Sequence, residues 1–497
     1  MKIIMNSRTL VACMLMLSTN TYAGLEQMLG SFANELENRS AYASFQTYKD
    51  LIANAGCFDT MRAPAVISAN GNLAVGPRCT GQTYQLFKNV RAIVHTGNEL
   101  TNDGPTQFSL GLDKRGLGLA LRWDAAEEYS AQGSLSSDYL RGQLSSLSSR
   151  LTALRLGGQG FYMHAQANYN GQSDYVLRDG PVTGGGAGDE VYSAWGGFIN
   201  YSGGRGTKAP TSLEDAFAFD GSQLNAGIDY RINDKWIVGS LLGLIDQRVD
   251  FDSSKSTVSG NVDASGFSIF PFAMYQLEHL YLSASVGYQK LKFDSVRAIR
   301  YPSLNPDIPS PNTETIAAVD AQNMSLFLGV GYNMNYKKVS LEPFLHVNTT
   351  TTKIDQFIER DIKQTAFDLV VAGQKINAAN ATVGATLRYT FTPSIAVITP
   401  YLTYEFVKQK EDSGRTIAAR YFNAVSQNNT FGVPTDLVDE EYTINTFGIS
   451  AVLLGAHQTT VDGVLAGGLQ AFLQYKELQD LENYKIDMIE LGIRYEF

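Results

Sequence analysis

The last nine residues alternate strictly. Ile489, Leu491, Ile493, Tyr495 and Phe497 are apolar, and Glu490, Gly492, Arg494 and Glu496 between them are charged or small. A period of two puts all the apolar side chains on one face of a strand and all the polar ones on the other. Taken alone, such a segment fits either the edge of a soluble sheet or a membrane barrel strand with lipid outside and water inside. The same alternation recurs in Leu224/Ala226/Ile228/Tyr230, Leu282/Ala284/Val286/Tyr288, Met324/Leu326/Leu328/Val330, Val339/Leu341/Pro343/Leu345, Val383/Ala385/Leu387/Tyr389 and Ile398/Pro400/Leu402/Tyr404. From Ala194 onward it predicts about twelve strands, an even number as bacterial barrels require. Short turns at 232–235, 277–279, 335–337 and 391–394 alternate with long connections at 205–219, 249–261, 293–319, 354–379 and 410–440. Soluble sandwiches rarely keep that rhythm, whereas outer-membrane barrels have short periplasmic turns and long outer loops.

Upstream the period changes to that of a helix. Phe45, Tyr48 and Leu51 recur at helical spacing, as do Leu86, Val90 and Ile93, which predicts two helices joined by a loop between Cys57 and Cys79. From Leu117 a longer helical stretch follows, and Asp124 with Glu127 resembles a capping pair that starts a helix near Ala125. Leu140, Leu144, Leu147, Leu151 and Leu154 form one narrow ridge among many serines. So slim a helix suits a confined polar channel, and it equally suits packing on its neighbours or a short coiled coil. The segment 157–193, with its Gly184–Gly188 run, reads as a flexible linker.

Met1–Ala23 has basic residues, an apolar run and a small final residue, the pattern of a secretory signal peptide. Leu10-Val11-Ala12-Cys13 also matches a lipoprotein box, but the apolar run continues past it. No later segment has the roughly 18 uninterrupted apolar residues of a membrane helix, so any membrane span must be built from strands. A net charge of −10 argues against nucleic acid as a partner. In an oxidising compartment Cys57 and Cys79 are expected to pair.

Little in the chain suggests catalysis. The five histidines show no paired-ligand spacing, and there is neither a G-x-S-x-G elbow nor a metal-binding cysteine pair. Asp229, Arg231, Glu342, Arg388, Glu405 and Arg494 fall on the inward face, where charges usually pair to order the wall or a plug. The sequence therefore points to no enzyme, no metal and no cofactor.

The segments W-G-G-F-I-N-Y from Trp195, D-G-S-Q-L-N-A-G-I-D-Y-R from Asp220, V-D-F-D from Val249, R-A-I-R-Y-P from Arg297, G-R-T-I from Gly414 and the terminal G-I-R-Y-E-F resemble the β-domain of monomeric autotransporters. Leu119–Arg155 is similar to the helical segment that precedes that barrel. The family's E-W-x-H-E-F motif survives only as Glu405 and its neighbours, Phe406-Val407-Lys408. The resemblance implies an all-β, twelve-stranded antiparallel transmembrane barrel, preceded by a pore helix and a small helical N-terminal domain. Tyr495 and Phe497 would act as the assembly signal read by the outer-membrane insertion machinery. The expected division is a signal peptide at 1–23, a passenger-like domain at 24–117, a pore helix at 118–156, a linker at 157–193 and a barrel at 194–497. The expected function is translocation or display of the N-terminal domain by a monomeric barrel in a Gram-negative outer membrane, in contact with its lipid and lipopolysaccharide. The alternative is a non-exporting channel or structural barrel whose N-terminal domain stays periplasmic. A surface hydrolase is disfavoured by the missing nucleophile motif.

Overall fold

The computed structural model describes residues 24–58, 78–136, 142, 144, 146–148, 151, 163–167, 173–177, 195–233, 235–252, 256–391, 396–411, 415–454, 458–460, 463–465 and 469–496. The expected signal peptide, Leu140, Leu154, Phe497 and the Gly184–Gly188 run lie outside the described residues.

Twelve long strands form the barrel: β1 (Trp195–Lys208), β2 (Phe217–Arg231), β3 (Trp236–Phe251), β4 (Gly260–Gln276), β5 (Leu280–Arg300), β6 (Asn312–Tyr332), β7 (Val339–Ile354), β8 (Gln374–Tyr389), β9 (Val397–Glu411), β10 (Glu441–Leu454), β11 (Leu469–Gln479) and β12 (Tyr484–Glu496). Each pairs antiparallel with its sequence neighbours. The sheet closes where β12 meets β1, in register from Tyr484↔Lys208 to Glu496↔Gly196. Closure leaves no edge, so every strand in the wall has a hydrogen-bonded neighbour on both sides, as a lipid environment demands.

The alternation runs as expected, with apolar side chains outward. Ile489, Leu491, Ile493 and Tyr495 on β12 are exposed, while Glu490, Gly492 and Arg494 are buried inside. At the short-turn end Trp195 packs on Tyr230 and Trp236 on Tyr275, in both cases with ring centroids 4.8 Å apart. Aromatic pairs at that height form the interfacial girdle of a membrane barrel. No helix among the described residues is long and apolar enough to cross a membrane.

Three local features differ from the sequence reading. Strand reaches far into the connection 293–319: β5 and β6 each run 21 residues, well past the 9–11 that span a bilayer. The segments Phe357–Ile358, Leu369–Val371, Thr416–Tyr421 and Phe431–Pro434 add a second, four-stranded sheet at that end. The segment read as flexible linker contains a hairpin, Met163–Ala167 with Ser173–Leu177; its short alternating runs on either side of Asn170-Gly171 were a turn signal that the glycine-rich composition masked. At the opposite end, the connection between β10 and β11 is long rather than short and carries the strand pair Gln458–Thr460 with Gly463–Leu465.

Before the barrel lie α1 (Gly24–Gln27), α2 (Glu35–Ala55), α3 (Gly81–Thr101) and α4 (Lys114–Asp124). The Asn34 side chain caps α2 by accepting from Leu36 N, and Gly56 ends it in the left-handed region at φ 72°. Cys57 and Cys79 are joined, with Cα atoms 5.2 Å apart. The expected boundary at residue 117 falls inside α4, whose Leu117, Ala120 and Leu121 are buried in the same core as α2 and α3. Asp124 is the last residue of α4 rather than a helix start, and α4 is capped by Asp113, whose carboxylate accepts from Gly116 N. The chain turns through Ala126, at φ 58°, and a short 3-10 segment, Glu127–Tyr129. Helical backbone then resumes over 130–136 and at 142, 144, 146–148 and 151.

Candidate functional site: the pore and its outer cap

The resumed helix runs inside the barrel. Leu147 and Leu151 are buried with Phe198 of β1, Ile237 and Leu241 of β3, Phe270, Phe272 and Met274 of β4 and Phe327 of β6, and Leu144 packs against this cluster. An apolar stripe on one side of an otherwise polar lumen thus receives the leucine ridge. The serine face meets polar wall: Ser146 donates to Glu490 at 3.3 Å and accepts from Asn225 at 3.1 Å. Gly142 lies so close to Gln223, and Gly133 to Arg415, that a Cβ on either would collide with those side chains. The small residues of this segment are therefore a fitting requirement of the pore.

The expected lumen charges are distributed over the wall. Arg388 Nη1 donates to Glu342 Oε2 at 2.7 Å, and Tyr281 Oη donates to Glu342 Oε1 at 3.0 Å. Arg494 lies 3.6 Å from Asp229. Arg231, at the end of β2, is half-exposed. Glu405 lines a cavity of about 160 Å³ between the helix and the β7–β9 wall, with Lys476, His346, Asn348, Asn380 and Thr382. The charges thus form two separate pairs and a cavity wall. Sequence reasoning passed over Glu490, which collects Asn200, Gln474, Ser146 and Lys476. Its place in the terminal alternation was the available signal. On the outer wall Tyr495 is opposite Leu469 of β11 and Gly197 of β1, at the closing seam.

Above the lumen, at the long-connection end, the inward face becomes apolar. Phe217, Phe219, Val249, Phe251, Leu291, Phe293 and Val319 share one core with Leu36, Phe45, Tyr48, Leu86, Phe87 and Leu121 of the helical domain. Helix α2 packs on Phe431–Pro434, Ser44 hydrogen-bonds the Tyr421 hydroxyl at 3.1 Å, and Asn89 donates to Thr365 O at 2.7 Å. The helical domain is a cap fused to the long connections.

One buried ion pair ties cap, loop and barrel together. Arg297 of β5 and Glu359 are both fully buried and bond through two parallel contacts, Nε–Oε1 at 2.8 Å and Nη2–Oε2 at 2.6 Å. Arg297 also donates to the carbonyls of Trp123 and Phe367. Glu359 also accepts from Tyr129 Oη at 2.6 Å, from Thr315 Oγ1 and from Leu369 N. A pair so completely hydrogen-bonded can hold its charges away from water. The sequence flagged the Arg297 motif, but nothing in it marked a partner 62 residues on.

Acidic groups crowd this junction. Burial pushes the Asp124 carboxyl up to about 7 and the Glu128 carboxyl up to about 8, despite the nearby Arg297 guanidinium. Neither Glu128 oxygen has a hydrogen-bond partner among the described residues. Burial likewise raises Glu127 to about 7, against the attraction of Arg122, whose Nη2 lies 2.8 Å away. Burial thus brings the titration of these groups into the neutral range, because the cap excludes water from them.

The autotransporter β-domain family model matches residues 197–463. Among solved structures, the chain is similar to the translocator domain of autotransporter NalP from Neisseria meningitidis, at 14% identity over 72% of this chain and 98% of that one, with a TM-score of 0.46. It is also similar to the β domain of the Bordetella autotransporter BrkA, at 12% identity over 61% of this chain and 100% of that one, with a TM-score of 0.39. A Pseudomonas aeruginosa FadL homologue aligns at 11% identity over 61% of this chain and 90% of that one, with a TM-score of 0.34. No curated protein matches. With more than half of its length matched by the family model and a closed twelve-stranded barrel around a helix, the chain belongs to the autotransporter β-domain family, as an outer-membrane β-barrel translocator.

Proposed function

We propose that this barrel exports its own small N-terminal domain, residues 24–129, and retains it on the outer face of the outer membrane as a docked cap. The observation that carries the reading is the position of the cap. It is built into the long-connection end of the barrel, opposite the short turns, through Tyr129–Glu359, Ser44–Tyr421 and a common hydrophobic core. Long connections face outward in barrels of this kind.

The path of the chain supports the same reading. β1 begins at the short-turn end beside Tyr230, and the helix carrying Leu147 and Leu151 runs within the lumen. A chain that starts outside and enters its barrel from below must pass through the pore. The domain is held together by one disulfide and the mutual packing of α1–α4, so it needs no separate carrier once outside. The outer core that it shares with the strands argues for a cap that stays attached rather than a released product.

Protease treatment of intact cells tests the proposal. A cap variant with a protease site inserted after Asp103, in the α3–α4 connection, should be cut without permeabilising the outer membrane. Cutting only after permeabilisation would favour a periplasmic domain and a non-exporting barrel.

A further inference from the structure

The outer wall of the barrel carries a charge asymmetry just beyond its apolar band. On β5 and β6 the band ends at Tyr288 and Met324, which face each other in register, and Met324 is 62% exposed. The next outward row runs sideways across four adjacent strands: Lys290 of β5 opposite Gln322 of β6, Gln322 opposite Lys353 of β7, and Lys353 opposite Lys375 of β8. On β9 the last apolar outward residue, Phe406, is followed by Lys408 and Lys410. All of these point away from the lumen. Lys353 is 70% and Lys408 63% exposed.

Carboxylates satisfy this sector only in part. Lys290 reaches Asp320 at 3.3 Å, Lys408 reaches Glu441 at 2.6 Å, and Lys353 has only a loose contact with Asp355 at 3.8 Å. Among the described residues Lys375 and Lys410 have no ionic partner. Like charges directly opposite on adjacent strands are destabilising in isolation, as Lys353 and Lys375 are here. On the other side of the barrel the outward positions above the band are mainly acidic, among them Asp220, Asp246, Asp263, Glu477 and Asp487, with Arg205 held by Asp487 and Arg248 by Asp250. A chain of net charge −10 thus gathers lysines on one wall, one side-chain row, or about 7 Å along the strand, above the lipid band.

We infer that the outward lysines of β5–β9, centred on Lys353, Lys375 and Lys410, bind the phosphate groups of a glycolipid in the outer leaflet. The inference rests on the membrane orientation in the proposed function, because the outer leaflet is the layer that meets the long-connection side. Ammonium groups at headgroup depth are attracted to anionic lipid at about 1 kcal/mol each, a gain that falls off within a Debye length. The spread of the lysines over several strands suits a ligand with more than one phosphate. Flexible, exposed lysines grip phosphate as point charges, without the fixed fork of arginine. Bound phosphate would also relieve the Lys353–Lys375 repulsion, which among the described residues only the loose Asp355 contact offsets.

The test uses the full chain, purified and folded in a zwitterionic detergent, with bisphosphorylated lipid A as the probe. The native protein should bind it, and binding should weaken steeply with added salt. The triple variant Lys353→Glu, Lys375→Glu, Lys410→Glu should bind at least about tenfold more weakly, as the loss of three such attractions implies. The milder Lys→Gln triple variant should lie between. Asp220→Asn, on β2 across the barrel from β8, should bind like the native chain. Dephosphorylated lipid A should bind no better to the native chain than to the triple variant, and inorganic phosphate at millimolar concentration should fail to compete. Equal affinity in any folded lysine variant, equal binding of the dephosphorylated lipid, or full competition by inorganic phosphate would overturn the assignment. The shift in gel mobility on heating reports whether each variant barrel has folded. Because binding is read in detergent, failure of the export reading in cells would leave a positive result here intact, and a negative result here would leave export untouched.

Discussion

Strand β5 shows two interiors on one strand. Its inward residues near the short-turn end are Tyr281, Ser283, Ser285 and Gln289, whereas further along Leu291, Phe293 and Ile299 flank Ser295 and the ion-paired Arg297. The first set faces a polar lumen in which a helix is held by one apolar stripe and a few hydrogen bonds. The second faces a continuous hydrophobic core built jointly with the helical cap. A barrel wall need only be regular outside, where lipid is uniform. Inside, each segment is written for whatever it encloses: a slim helix that has to fit a tube in one half, and a folded domain that has to seal it in the other.

The halves should therefore fail independently. The largest effect is expected at the junction. Glu359→Ala leaves Arg297 buried without its carboxylate, and breaking such a pair costs about 3–5 kcal/mol. Pulse proteolysis should show the cap opening while the heat-modifiable barrel keeps its yield. Loss of both together would mean that the two halves form one unit. Removing the disulfide, through Cys57→Ser with Cys79→Ser, should loosen the cap by about 3 kcal/mol for a loop of this length. Thermal denaturation should register that loss in the helical signal alone, and mass analysis of the native protein should find neither cysteine alkylatable.

Within the lumen, Leu147→Ala should cost about 2 kcal/mol, at the low end for a buried leucine. The helix already borders a cavity of about 160 Å³ and can settle into it. Single-channel recording in planar bilayers should show more frequent openings, with cap proteolysis unchanged.

How far the sequence disclosed these halves depends on which solvent wrote each pattern. The outward alternation of β12, from Ile489 to Tyr495, was legible because lipid imposes a simple rule on every second residue. The loop-end core was not. Phe293 and Ile299 lie in what read as a long connection, and Phe45 and Leu121, which share their core, are far off in the chain. Pairs such as Arg297–Glu359 leave no local spacing to detect. The ridge of Leu144, Leu147 and Leu151 was visible, but only the enclosing wall decides between a pore and a coiled coil.

A smaller effect separates the halves by pH. Asp124 and Glu127 at about 7 and Glu128 at about 8 lie above their ordinary values of about 4. The docked cap therefore binds more protons than the opened one between pH 4 and 8. Docking, as far as these groups set it, should be tightest at about pH 4, weaken steadily as the pH rises, and level off above about pH 8. Protease resistance of the cap followed from pH 5 to pH 9 measures this, and Glu128→Gln should flatten the upper part of the curve. Resistance that rises with pH would contradict the assignment of these buried acids.

The most direct test of an outward-facing cap is a pair of single cysteines probed on intact cells with a membrane-impermeant maleimide. One replaces Tyr42, half-exposed on α2 in the cap, and the other replaces Tyr336, 72% exposed in the short turn between β6 and β7. With the cap outside, position 42 is labelled on intact cells and position 336 only after the outer membrane is permeabilised. Labelling at 336 but not at 42 on intact cells would contradict it.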